Sequence, residues 1–123
     1  MIEEDISEGE IVKYLEIREI EKKKKREASS IEGYSNSYET YYGERPNIVF
    51  PLPGEPVIYK GHSKFFWFPK MLKDADELLE IGKKYTIKTI SVYSSWCAVT
   101  LNEIDKDVTF ALGWFKTIKE IVN

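Results

Sequence analysis

The fold class this sequence predicts is α+β, mainly β: a small antiparallel barrel or sandwich entered through an N-terminal helix. Three observations lead there. The chain has 123 residues, a length that suits one domain and not two independent cores. From Pro56 onward, apolar residues recur with period two in short runs divided by turns, which is the pattern of strands. Before that, residues 1–31 pass from acids to lysines around apolar positions at helical spacing. The chain therefore divides into a charged N-terminal helix at 1–31, a turn-rich connector at 32–55 and a β-domain at 56–123. Hydrophobic residues make up 42% and charged residues 32%, enough apolar material for a core and too much charge for a membrane span.

The helix has a start signal. Ser7 and Glu10 have the spacing of a capping box, in which the serine oxygen takes an orphan amide of the first turn. Acids lead the segment (Glu3, Glu4, Asp5, Glu8, Glu10) and Lys22, Lys23, Lys24, Lys25 and Arg26 close it, so both ends complement the helix dipole. Ile11, Val12, Leu15 and Ile20 form the apolar stripe, widened by Tyr14 and Ile17. A rival reading of Tyr14 to Ile20 as a strand has partial alternation, but the cap and the charge order favour a helix. In the connector, Gly33, Ser35, Asn36, Gly43, Pro46, Pro51, Pro53 and Gly54 exclude a long element, and Ile48 to Phe50 is a candidate short strand.

Five strands are expected in the β-domain: Val57–Lys60, Lys64–Phe68, Tyr85–Tyr93, Trp96–Leu101 and Val108–Phe115. Within Tyr85–Tyr93 the apolar phase slips, with Tyr85 and Ile87 on one face and Ile90 and Val92 on the other. A bulge near Thr89 would let one bent strand serve two sheets. Val108, Phe110, Leu112 and Trp114 alternate with Thr109, Ala111, Gly113 and Phe115, and the tail from Lys116 has helical spacing at Phe115, Ile118 and Val122.

The order of a leucine-rich lead-in, Ile81-Gly82-Lys83-Lys84-Tyr85-Thr86-Ile87, a bent strand, a tight turn, paired strands and Gly113-Trp114-Phe115 resembles an SH3-like barrel. It is similar in particular to short bacterial and phage proteins with a glycine-lysine entry before three antiparallel strands. The resemblance covers about residues 56–115. It implies a five-stranded antiparallel barrel and binding roles, with no catalytic residue carried over. Lys73-Asp74-Ala75-Asp76-Glu77 beside Trp96 loosely echoes the acidic loop and aromatic groove of the peptide-binding members.

Several chemistries fall away. One cysteine, Cys97, and one histidine, His62, can build neither a disulfide nor the usual zinc site. Cys97 alternates with Val99 and Leu101 and reads as a buried, inert thiol. His62, between Gly61 and Ser63, reads as a solvated turn residue with no orienting partner. The acids Asp74, Asp76, Glu77 and Glu80, and the trio Glu103, Asp105 and Asp107, lack calcium-loop spacing. No phosphate loop or dinucleotide fingerprint occurs, so a non-enzymatic chain without cofactor or metal is expected. The acidic opening Met-Ile-Glu-Glu-Asp is unlike a secretory signal, which points to a cytoplasmic protein with no membrane partner. The net charge of -3 opposes whole-surface attraction to nucleic acid.

Phe65-Phe66-Trp67-Phe68 puts large rings on both faces of a strand. Either the N-terminal helix, through Ile11, Leu15 and Ile20, or a second copy covers them, or they bind a partner. The expected function is a protein-binding module using Phe66, Trp67, Phe68 and Trp96 with Asp74, Asp76, Glu77 and Glu80. The phage-like resemblance implies a narrower version, a mobile-element accessory protein that inhibits a basic, nucleic-acid-handling defence protein. The alternatives are single-stranded nucleic-acid binding, with Lys22, Lys23, Lys24, Lys25, Arg26 and Lys64 on phosphates and the aromatics stacking on bases, and a structural homodimer.

Overall fold

The computed structural model describes residues 6–24, 31–36, 51–62, 68–93, 95–105 and 107–122. In chain order these form α1 (Glu8–Lys24), β1 (Tyr34–Asn36), β2 (Pro56–Tyr59), α2 (Pro69–Leu78), β3 (Lys84–Val92), β4 (Cys97–Leu101), β5 (Phe110–Ala111), a 3-10 turn (Leu112–Trp114), β6 (Phe115–Lys116) and α3 (Ile118–Val122). The class is α+β with a mainly antiparallel sheet, as expected.

Helix α1 starts where its cap predicts. The Glu10 N–H donates to Ser7 Oγ at 3.2 Å, and the Ser7 hydroxyl donates to Glu10 Oε1 at 3.2 Å. The strand reading of Tyr14–Ile20 is thereby overturned. Ile11 and Tyr14 pack against buried Ile6, Ile58 and Ile118. Next to this small apolar seam the docking is polar. The Tyr14 hydroxyl donates to the Gly54 carbonyl at 2.6 Å, and Arg18 reaches Glu55 Oε1 through Nε at 3.1 Å and Nη2 at 2.6 Å. Glu55 Oε2 also accepts the Leu52 N–H at 2.8 Å. Both charged side chains are buried, at 8% and 1% exposure, so each depends on the other for its solvation. Val12, Leu15 and Ile20 are exposed. Two of the three residues expected to cover the aromatic run thus face solvent, because the helix turns Tyr14 and Arg18 inward instead.

The strand order is β5-β4-β3-β2-β6, with β1 parallel to β3. β3 carries the architecture. Its first residues pair with β2, and its later ones with β4. Between Ile87 and Thr89 the register slips, leaving Lys88 exposed, so the bulge sits one residue before the expected Thr89. The slip returns Ile90 and Val92 to the core that Tyr85 and Ile87 face, and all four are buried. Beyond β2 the vacated edge of β3 is taken by β1, with Tyr34 opposite Ile90. Gly33 allows that approach. Its φ is +81°, and a Cβ there would lie 2.9 Å from the Lys88 carbonyl oxygen.

Three strand expectations need correction. The five-stranded barrel is not closed: among the described residues no ladder joins β5 to β6, and the 3-10 turn Leu112–Trp114 lies between them. The single strand expected at Val108–Phe115 is broken there. The turn rotates the chain so that neighbours Trp114 and Phe115 are both buried, as are neighbours Phe110 and Ala111, and strict alternation is lost. The strand expected at Lys64–Phe68 ends in a helix cap, since Phe68 is the N-cap of α2 and Pro69 opens it; residues 64–67 lie outside the described residues. Proline is preorganised for a first helical turn and lacks the N–H that would go unbonded. Met71, Leu72, Ala75, Leu78 and Leu79 supply the apolar face, so the segment 73–77 read as an acidic loop lies within a helix. The short C-terminal helical turn is present as α3, with Ile118 fully buried.

Replacing Glu55 by glutamine leaves the Arg18 charge buried without its counter-ion. The Glu55→Gln variant is expected to lose about 3 kcal/mol of stability, read as a fall in the urea midpoint. An unchanged midpoint would show that Arg18 finds solvent in the variant.

Candidate functional site

Two surface features lie at the two ends of α2. At its N-terminal end, Phe68 meets the turn between β3 and β4. The Tyr93 N–H donates to the Trp96 carbonyl at 2.9 Å, which closes that turn and sets both rings on one side. Tyr93 and Trp96 stack with centroids 5.3 Å apart and planes 27° apart. Phe68 leans on Trp96 at 5.7 Å. Phe68 is 44% and Tyr93 41% exposed, while Trp96 is half-buried against the core.

At the other end, a cavity of about 760 Å³ opens between the end of β2 and the C-terminal half of α2. Tyr59, Ala75, Leu79 and Ile81 give it apolar walls, and Lys60, His62, Asp76 and Glu80 stand around it. Gly61 turns the chain at φ +99° and brings His62 across the opening. His62 Nε2 lies 2.7 Å from Asp76 Oδ1, and its ring lies 5.4 Å from that of Trp114. The side chain is only 14% exposed. The expected solvated histidine is therefore a partnered one; the missing signal was that Asp76, on a helix, folds back over it. Lys60 Nζ reaches Glu120 Oε2 at 3.2 Å. Burial, with the charge of Asp76 secondary, pushes the Tyr59 phenol up to about 12.

The residues expected to form the site are distributed as follows. Phe68 and Trp96 come together; Phe66 and Trp67 lie outside the described residues. Of the acids, Asp74 is paired with Lys70 at 2.8 Å and Asp76 with His62. Glu77 and Glu80 are exposed. Lys22, Lys23 and Lys24 end α1, with only their backbone described, and Lys25, Arg26 and Lys64 lie outside. Tyr93 was missed because it reads as the last residue of a strand, although the Tyr-Ser-Ser-Trp spacing of a tight turn places its two rings together. Glu103 Oε1 accepts the Thr86 N–H at 2.7 Å, so this acid ties the turn after β4 to the start of β3. Among the described residues no group of three His, Cys, Asp or Glu side chains could hold a metal ion. No helix among them is long and apolar enough to cross a membrane. Cys97 is half-buried, less enclosed than its alternation with Val99 and Leu101 predicts, because it opens β4 at the rim of the sheet.

No family model and no solved structure matches the chain. A segment is similar to the mitochondrial ATP-dependent RNA helicase MSS116 of Saccharomyces cerevisiae, 49% identical over 51 residues. The match covers 38% of this chain and 8% of the helicase.

Two measurements follow from the ionisable groups. The Tyr59 phenol is raised in the folded state, so its contribution to stability is complete below its ordinary value of 10.0 and is lost as pH rises toward about 12. Tyr59→Phe is therefore expected to flatten the decline of the urea midpoint between those two values. Burial also pushes the Cys97 thiol up, and a thiol-specific disulfide reagent is expected to label native protein more slowly than free cysteine at pH 8, with urea removing the difference.

Proposed function

We propose that this protein is a non-enzymatic, SH3-like binding module that holds another protein against the rings of Phe68, Trp96 and Tyr93. The observation that carries the reading is the exposure of two of the three rings, 44% and 41%, in an assembly already stacked on the core. Aromatic side chains held rigid before contact lose little entropy on binding, and such rings dominate interface energetics. The strand order supports the SH3-like reading, since β2, the first strand of the segment 56–115 that carries the resemblance, lies between β3 and the last strand β6. The exposed carboxylates Glu77 and Glu80 on or beside α2, in a chain of net charge -3, favour a basic partner. The narrower version, inhibition of a nucleic-acid-handling protein by charge imitation, has these two acids and the exposed side of Asp76 as its outward groups, while Asp74 is mostly buried and paired with Lys70.

The test is affinity capture from cells that make the protein, comparing the wild type with Phe68→Ala and Tyr93→Ala. Both rings are partly exposed but packed on Trp96, so each truncation is expected to cost about 1 kcal/mol, and the urea midpoint shows that both variants remain folded. Each variant is expected to weaken retention of the partner by about tenfold or more. Retention unchanged in both would overturn the ring site. A single-stranded oligonucleotide bound tightly at about 50 mM salt and released at about 200 mM would replace the protein partner with nucleic acid. A mass that doubles with concentration in light scattering, and falls in the ring variants, would make the partner a second copy.

A further inference from the structure

The cavity between β2 and α2 has the composition of a receptor for one particular kind of group. Its walls are the ring of Tyr59 and the aliphatic side chains of Ala75, Leu79 and Ile81. Tyr59, Ala75 and Leu79 are buried, while Ile81 is 51% exposed. Its volume of about 760 Å³ is in the range of small-ligand sites, and much of it is open to solvent. Around these walls stand Lys60, His62 and the two carboxylates of Asp76 and Glu80. Lys60 is drawn outward to Glu120 on α3. Asp76 keeps a 70% exposed side chain although it holds His62, and Glu80 is exposed just beyond the end of α2. An apolar slot ending at carboxylates matches a side chain with an aliphatic stem and a cationic head, which buries its methylenes and leaves its charge at the surface.

We infer that this cavity is a subsite for a lysine or arginine side chain of the protein partner. The inference rests on the protein-binding reading above and adds to it the chemistry of a second contact and its distance from the first. Phe68 caps the N-terminal end of α2 and Asp76 lies near its C-terminal end, so the helix itself sets the separation of the rings from the cavity. With ten residues, α2 is about 15 Å long. An extended strand of the partner covers that length in about five residues. The preferred segment therefore carries an aromatic or large apolar residue about five positions from a lysine or arginine.

The experiment uses the full chain and two probes, followed by amide chemical shifts at constant ionic strength. The first probe is n-butylammonium chloride, with n-butanol as its neutral isostere. The ammonium is expected to shift the amides of Gly61, His62 and Glu80, and the alcohol to shift them far less. Asp76→Asn and Glu80→Gln are each expected to weaken the ammonium response about two- to fivefold, and the double variant to abolish it. Equal responses to ammonium and alcohol, or no effect of the double variant, would overturn the cation subsite. The second probe is the peptide acetyl-Phe-Ser-Gly-Ser-Gly-Lys-amide, with its Nε-acetyl-lysine counterpart. Shifts at both Tyr93 and Glu80, tighter for the charged peptide, support the paired sites. Shifts at Tyr93 alone, equal for both peptides, would remove the cavity from the interface and leave the ring reading standing. An ammonium response at Glu80 with no peptide shift at Tyr93 would count against the ring reading and against the proposed spacing.

Discussion

A carboxylate with no exposure to speak of holds the two halves of this protein together. Glu55 takes the Arg18 guanidinium on one side and the Leu52 amide on the other, and it immediately precedes β2. The turn at residues 51–55, the docking of α1 and the entry of β2 into the sheet therefore share one polar centre. Replacing such a pair by apolar groups is often tolerated, but half of it cannot be kept. The apolar seam beside it, Ile6, Ile58 and Ile118, is small for a helix of 17 residues. That places much of the specificity of docking, its angle and register, on the hydrogen bonds of Tyr14 and Arg18. Glu10 and Lys84 add a contact at 3.3 Å. Burial raises the Glu10 carboxyl, but Lys84 and Ser7 outweigh it and hold the group below its ordinary value, so this contact weakens as acid protonates Glu10.

From that centre outward, β3 organises the rest. One strand with a slipped register pairs with β2 at its start and with β1 and β4 further on, and the elements that carry the surface features are anchored at its two ends. At its start the Tyr85 hydroxyl accepts the Glu80 N–H at 2.9 Å, which fixes the chain leaving α2. At its end the turn to β4 presents Tyr93 and Trp96. The ring assembly and the cavity are thus held at a set separation by the same strand and the same helix, a condition for any partner that must touch both.

Much of this was legible. The capping box of α1, the phase slip that demands a bulge, and the helical tail are local signals, and each has a local cause in the structure. α2 was not legible because the charged run Lys73-Asp74-Ala75-Asp76-Glu77 reads as a solvated loop after the strand expected to end at Phe68, even though Met71, Leu72, Ala75, Leu78 and Leu79 have helical spacing. β5 and β6 were read as one strand because Val108 to Trp114 alternates cleanly, and nothing in that alternation announces a 3-10 turn at Leu112. The Arg18–Glu55 pair joins residues 37 positions apart, and Arg18 sits among other charges that do face solvent. For the candidate site, Phe68 and Trp96 were visible as large rings near turns. The cavity was not, because its walls come from residues that each read as ordinary core or ordinary surface.

The parallel pairing of β1 with β3 has a kinetic meaning. β3 and β4 are joined by a short turn, so their ladder closes a small loop. Ser35 and Ser91, hydrogen-bonded at 3.1 Å, are 56 positions apart, and joining them closes a loop of that length against its entropy. Three residues of β1 return few bonds for that closure. The pairing of this edge strand therefore carries a high closure cost for the bonds it returns, whereas the β3–β4 ladder, closing a small loop, carries little.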